Sequence, residues 1–277
     1  MKKKLAIHSV LILLSVLSLF PFLWLVSTAL KGPSENIFSY PPQFIPTSFT
    51  LENFIGVWNQ IPFLLYFLNS FVVAAGTVVL NVVLSALAAY PLARMEFKGK
   101  GFAFYLILAT IMIPFQAIML PVYLIILKLR LTDATGIVPG YAGLILPFAV
   151  NAFGIFLMRQ AFKGVPKELE EAAASDGCNI FQIWFNVLLP SVAPTVALLA
   201  VFTFIGSWSE FLWPSIVLSQ KNLYTLPVGV NELCGVFSAN QRFIAAGSII
   251  SIIPIIIFFL AMQKFFVQGH NDGAVKG

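Results

Sequence analysis

Charge and cysteine are what this chain has least of. Only 10% of its 277 residues are charged and two are cysteines, against 59% hydrophobic residues, which is more apolar surface than a soluble core of this size could bury. An ordinary soluble domain is therefore excluded. Cys178 and Cys234 are too few for a disulfide framework, and no His, Cys and carboxylate residues recur at metal-ligand spacing. No nucleophile, base and orienter set is recognisable, so a catalytic site is not expected. The phosphate-binding pattern G-x-x-x-x-G-K-[ST] is also missing, and Lys98-Gly99-Lys100-Gly101 does not replace it, so the chain is not expected to hydrolyse ATP. The basic residues form no patch interleaved with aromatics, which argues against nucleic acid as a partner.

Long uncharged runs take the place of these features. A helix needs about 20 apolar residues to cross a bilayer. Six runs are near or above that length: Leu5 to Leu30, Phe63 to Ala93, Phe102 to Leu127, Tyr141 to Met158, Val187 to Leu218 and Phe243 to Met262. None alternates as a membrane β-strand would. The expected class is an all-α integral membrane protein with six transmembrane helices, in contact with lipid. The first run follows Lys2-Lys3-Lys4 and exceeds the 7 to 15 apolar residues of a signal peptide, so it is expected to stay as a helix. Pro21, Pro114, Pro121, Pro147, Pro194, Pro214 and Pro254 lie within or at the ends of these runs and predict kinks.

Lys and Arg bias sets the orientation. With the N-terminus in the cytosol, Lys2, Lys3, Lys4, Arg94, Lys98, Lys100, Arg159, Lys163, Lys167, Lys264 and Lys276 are inside, and Lys31, Lys128, Arg130, Lys221 and Arg242 are outside. The excess inside favours two cytoplasmic termini. In this topology the two cysteines lie on opposite sides of the membrane. Residues 1–69 then hold the first helix and a proline-rich external segment, Lys31 to Pro62. Residues 70–262 form the core, with a cytoplasmic loop at 159–190, and residues 263–277 form a cytoplasmic tail. Ser219 to Arg242 makes a second external loop.

The cytoplasmic loop contains the longest polar interruption in the second half of the chain, KELEEAAASDGCNIFQIWFNVLLP from Lys167 to Pro190. Pro166 and the acidic Glu168, Glu170 and Glu171 suit the start of a helix, and Gly177 suits its end. Helical spacing places Leu169, Ala172, Ala173 and Asp176 on one face. Such a narrow, small-residue surface fits a groove on another protein.

Glu171-Ala172-Ala173, followed by Gly177, Val187 and Leu189-Pro190 at these spacings, resembles the EAA loop of permease subunits of binding-protein-dependent ABC importers. AYPLARMEFKGKG (Ala89 to Gly101), WSEFLWPSIVLS (Trp208 to Ser219) and FVQGHNDGAVKG (Phe266 to Gly277) are similar to the carbohydrate branch, in the manner of the smaller maltose-type permease. The resemblance spans essentially the whole chain. It implies the type-1 importer fold in a bacterial or archaeal cytoplasmic membrane. It also implies a second, non-identical permease, two cytoplasmic ATPase subunits that bind ATP and Mg, and an extracytoplasmic sugar-binding protein. Glu168, Glu171, Ala172, Ala173, Asp176 and Gly177 would dock on an ATPase, and Gly273, Ala274, Val275, Lys276 and Gly277 would reach toward the ATPase dimer. The implied cargo is a di- or oligosaccharide, with an α-galactoside such as raffinose one candidate. GHNDG departs from the family's more usual GLT(A/S)G.

The runs themselves hold few ionisable groups: His8 near one end and Glu210 near another, with no pair at mid-depth. An ion-driven carrier needs such groups to bind its coupling ion. A secondary carrier or channel is the alternative reading, and this scarcity disfavours it. Asn69, Asn81, Gln116, Asn151 and Asn186 are amides in or beside apolar runs, where amides often join helices. Asn81, Gln116, Asn151 and Glu210 are the candidate cargo-path residues.

Overall fold

A computed structural model describes residues 2–235 and 240–271. Among the described residues the regular structure is helical, apart from an isolated bridge between Lys31 and Phe49. Four stretches are long and apolar enough to cross a membrane: Ile7–Leu30, Phe63–Arg94, Phe115–Thr135 and Gln241–Phe265. Two bent pairs, Ile137–Phe148 with Ala152–Gly164 and Ile180–Ser191 with Ala193–Trp208, bring the number to six if each pair is one span.

Helix α1 (Lys2–Leu30) is continuous through Pro21, α2 (Glu52–Gln60) is short, and α3 (Phe63–Arg94), at 32 residues, is the longest among the described residues. The run Phe102 to Leu127 is not one helix. It divides into α4 (Lys100–Ala109), extended by a 3-10 turn to Met112, and α5 (Phe115–Lys128). The break is at Ile113 and Pro114, both extended, because proline lacks an N–H and its ring forces the preceding residue out of helix.

The next run also breaks. Helix α6 (Ile137–Ile145) ends in a 3-10 turn at Leu146–Phe148, and α7 (Ala152–Gly164) restarts after Asn151, whose Oδ1 accepts the Gly154 N–H at 2.7 Å. The angle between the two pieces is 58°. Helix α8 (Lys167–Ser175) follows. Then α9 (Ile180–Ile183), a π turn at Trp184–Leu188 and α10 (Leu189–Ser191) lead to a 79° bend before α11 (Ala193–Trp208). Pro194 sits in the first turn of α11, where a missing N–H costs nothing. The run expected to reach Leu218 therefore stops at Trp208, and α12 (Leu212–Val217), α13 (Leu226–Glu232) and α14 (Gln241–Asn271) complete the chain.

Contacts group the chain into two units: Met1–Tyr66 with Leu226–Pro254, and Phe67–Thr225 with Ile255–Gly277, in their described parts. Residues 226–254 thus group with the N-terminal part.

In the first unit the Lys31 to Pro62 segment is held by buried polar groups. Lys31 is fully buried, its Nζ donating to the Gln43 carbonyl at 2.6 Å and lying 3.9 Å from Glu35 Oε1. Glu35 Oε2 accepts the Thr47 and Ser48 N–H groups, and Asn53 donates to the Ala29 and Lys31 carbonyls. Arg242 donates to the Pro33 and Glu35 carbonyls. Gly229 in α13 lies so close to the Tyr66 ring that a Cβ there would collide with it.

The second unit is built on α3, α7 and α11. One buried cluster joins Ala86 and Ala89 of α3, Met158 and Phe162 of α7, Ala173 of α8 and Trp184 and Leu188 of the π turn. Another gathers Val73, Ile126, Leu144 and Trp213.

Candidate functional site

Two places in the second unit carry the polar chemistry. One is the α8 helix. Its first turn holds Glu168 and Glu170, and its C-terminus closes with the Gly177 N–H donating to Ala174 O and the Cys178 N–H to Ala173 O, both at 3.0 Å. Those two bonds form a Schellman motif, which requires the positive φ of +85° that Gly177 adopts. Cys178 packs in the same cluster as Ala173, the apolar contact that accompanies this motif.

The face read from helical spacing divides in two. Ala173 is buried, 9% exposed, while Leu169, Ala172, Glu168, Glu171, Asp176 and Gly177 are open to a partner. The reason is that Ala173 and Glu170, one turn apart, point into the second unit. Glu170 Oε1 lies 2.7 Å from Arg94 Nε, an ion pair with side chains 18% and 7% exposed. The geometry is a charge contact rather than a linear hydrogen bond, and the Arg94 fork also donates through Nη2 to the Val165 carbonyl. Neither Arg94 nor Glu170 is among the candidate docking residues. Only Glu170's place on the Ala173 side of the helix hinted at a buried role. The tail residues Gly273 to Gly277 lie outside the described residues.

The other place is a cavity of about 210 Å³ between α3, the break after α6, α11 and the start of α12, whose polar lining is Thr77, Asn151, Thr203, Ser207 and Glu210. Phe148, Phe202 and Trp213 supply apolar walls. Thr77 hydrogen-bonds back to Val73 O at 2.8 Å, and the Ser207 hydroxyl lies 3.5 Å from that of Thr77, so α3 and α11 meet through hydroxyls. Glu210 Oε1 accepts the Trp213 N–H at 3.0 Å, fixing the start of α12, and Trp213 Nε1 donates to Gly143 O. Just beyond α12, Asp133, 2% exposed, accepts the N–H groups of Ser219 and Gln220 and the Ser219 hydroxyl.

Of the four candidate path residues, Asn151 and Glu210 line this cavity. Asn81 does not: it is fully buried, donating to Phe148 O at 3.1 Å, and Thr203 Oγ1 lies 3.5 Å from its Oδ1. Gln116 is exposed on α5 and lies outside the cavity. Asn69 is likewise structural, bonding to Asn222 O, Tyr224 O and the Tyr141 hydroxyl. The sequence reading missed Thr77, Thr203 and Ser207, since one hydroxyl in an apolar helix is commonly spent on its own backbone. Among the described residues no group of three or more His, Cys, Asp or Glu could hold a metal ion, and both cysteines are free.

The second unit thus combines broken apolar helices around a hydroxyl-lined cavity with a partly exposed acidic helix. The comparisons give the family of the chain. Residues 81–270 match the family described as binding-protein-dependent transport system inner membrane component, and the chain belongs to it. It is 35% identical to the arabinooligosaccharides transport system permease protein AraQ of Halalkalibacterium halodurans, over 95% of this chain and 93% of that one. It is 32% identical to the sn-glycerol-3-phosphate transport system permease protein UgpE of Yersinia pestis, over 96% and 95%. Its fold matches, with a TM-score of 0.82 at 24% identity, a chain of a bacterial ABC transporter involved in the import of the acidic polysaccharide alginate, over 95% of this chain and 96% of that one. Its relatives are permease proteins rather than enzymes, and the resemblance to carbohydrate ABC importer permeases is upheld.

Proposed function

We propose that this chain is one of two permease subunits of an ATP-driven importer and carries a neutral di- or oligosaccharide through the cavity between α3, the break after α6 and α11. The observation that carries the choice of cargo is the lining: three hydroxyls, an amide and one carboxylate, with no Lys or Arg. Hydroxyls, amides and a carboxylate hydrogen-bond a polyol, whereas an unpaired carboxylate repels a phosphate or uronate. The relative named for arabinooligosaccharides has a neutral cargo; the alginate and glycerol-3-phosphate systems take anions.

In this reading both termini are cytoplasmic and the exposed side of α8, around Glu171, Ala172 and Asp176, sits in a cleft of an ATPase subunit. ATP and Mg are bound by a pair of such subunits. A loaded binding protein docks on the external segments Lys31 to Pro62 and Ser219 to Arg242. Closure of the ATPase pair moves α8 and opens the cavity outward; hydrolysis returns it inward. The scarcity of ionisable groups in the spans supports an external energy source over an ion gradient.

The test is uptake of labelled neutral oligosaccharides, both pentose-based and α-galactoside, by cells with and without this chain. Uptake lost on deletion, insensitive to a protonophore while ATP is maintained and abolished when ATP is depleted, is the expected result. Uptake that follows a clamped ion gradient without ATP would establish the secondary carrier instead. Uptake of glycerol phosphate or a uronate in preference to neutral sugars would overturn the cargo assignment.

A further inference from the structure

We infer that Arg94 and Glu170 form the link through which α8 moves α3, making Arg94 a positioning residue for coupling rather than a surface charge of a loop. The inference rests on the proposed role of α8 as the helix that meets an ATPase.

Helix α8 is anchored to the second unit at three points. Its C-terminal end is closed by the Schellman motif and continues through α9 into the π turn. Its middle is held by Ala173, packed with Phe162 and Trp184. The packing around Ala173 is apolar and carries no charge. The remaining anchor is polar. The Arg94 fork reaches Val165 O, two residues before α8 begins, and Glu170, one turn inside it. One guanidinium thus grips both the entry to α8 and its first turn. Arg fits this role because its broad guanidinium touches both groups at once, Glu170 by charge and the Val165 carbonyl by a hydrogen bond, whereas a Lys ammonium is a single point charge.

Arg94 is the last residue of α3, and Thr77 on the same helix lines the cavity about 25 Å away along the axis, at about 1.5 Å per residue. A displacement of the first turn of α8 is therefore delivered to the end of the helix that forms one wall of the cavity. The same end of α3 is braced by α7: Arg159 Nε donates to Leu92 O at 3.0 Å, and its guanidinium lies 3.7 Å from the Phe104 ring centroid. With this brace, α3 transmits the motion along its length instead of fraying at its last turn. Among the described residues, no carboxylate other than Glu170 is within ion-pair distance of Arg94.

The test uses the assembled transporter in nanodiscs and proteoliposomes and reads two quantities per assembled complex: cargo moved and ATP hydrolysed. Glu170→Gln keeps the shape and removes the charge. Cargo moved per ATP should fall at least tenfold while basal ATP hydrolysis stays within twofold and loses its stimulation by loaded binding protein. Arg94→Gln should do the same, Arg94→Lys should be intermediate, and the exchange Arg94→Glu with Glu170→Arg should recover cargo per ATP to within threefold of the original. A merely structural contact would lower the amount of assembled complex and leave the ratio unchanged, and that result overturns the inference. So does an exchange no better than either single change, or a failure of all the variants to assemble. Ala172→Trp on the exposed side of α8 is the control. If it uncouples while the Arg94 and Glu170 variants do not, the inference alone fails; if Ala172→Trp also leaves the ratio intact, the docking role of α8 fails with it.

Discussion

Replacing Asp133 by Asn and then by Ala should release the chain beyond α12 in two measurable steps. The Asp133 carboxylate is buried and accepts the Ser219 N–H at 2.6 Å, the Gln220 N–H and the Ser219 hydroxyl at 3.0 Å, while Gln220 Nε2 returns a bond to the Asp133 carbonyl. Asparagine preserves the shape, and its one oxygen still reaches both amides while its NH2 turns to the serine hydroxyl. Only the charge is lost. Charge-assisted hydrogen bonds are about twice as strong as neutral ones, so two of them weaken by about 1 kcal/mol each. Alanine removes the acceptor altogether and strands two N–H groups, for about 4 kcal/mol in total. At about 1.4 kcal/mol per factor of ten, local opening rises by about 30-fold for Asp133→Asn and about 1,000-fold for Asp133→Ala. Hydrogen exchange resolved to the Ser219 and Gln220 amides reads these factors directly. Exchange within threefold of the original in both variants, or equal loss in both, would refute the assignment of Asp133 as the anchor of this segment.

Three further outcomes follow from local geometry. Gly177→Ala should cost about 1 kcal/mol at the end of α8, because an L side chain disfavours a φ of +85°, and Gly177→Asn should cost less; uptake and thermal unfolding of the purified complex check both. A Cβ on Gly154 would collide with the Ser85 hydroxyl, which is buried without a hydrogen-bond partner, so Gly154→Ala should destabilise by about 1 to 3 kcal/mol and Ser85→Ala should be neutral alone and restore much of that loss, a non-additivity visible in thermal melts of the double variant. Ser207→Ala and Thr77→Ala should raise the cargo concentration needed for half-maximal uptake about tenfold without reducing complex assembly, whereas Gln116→Ala, outside the cavity, should leave uptake kinetics unchanged.

The membrane class and most of the spans were legible because bilayer length and hydropathy act on consecutive residues. Leu5 to Leu30 and Phe63 to Ala93 became α1 and α3 nearly as read. The breaks were not legible to the same degree. Pro114 signals its own, but Pro21 and Pro91 sit inside continuous helices, so a proline in an apolar run does not by itself announce a break. What decides is whether neighbours can take up the freed backbone groups. The α8 stretch was readable down to its terminating glycine, yet the burial of Ala173 and Glu170 was not, since it depends on Arg94, 76 positions earlier in the chain.

That same dependence explains why the embedded amides divided as they did. Each break in an apolar helix exposes carbonyls or N–H groups that hydrocarbon cannot satisfy. Asn81 answers the carbonyl of Phe148 at the break between α6 and α7, and Asn151 answers the N–H of Gly154 on its other side. Trp213 answers Gly143 O in α6, and Asn69 answers Asn222 O and Tyr224 O. The polar side chains in these spans are therefore first a supply of partners for interrupted backbone, and a cavity forms where the interruptions cluster. The groups with bonding capacity left over are the hydroxyls of Thr77, Thr203 and Ser207, which can donate and accept at once, and the Glu210 carboxylate, with four lone-pair sites and one used by Trp213; under the proposed function these are the groups left to meet cargo. The amides are thus drawn to the helix breaks while hydroxyls beside them keep spare capacity, so an amide in an apolar run marks an interruption of the backbone, and the cavity is found next to it.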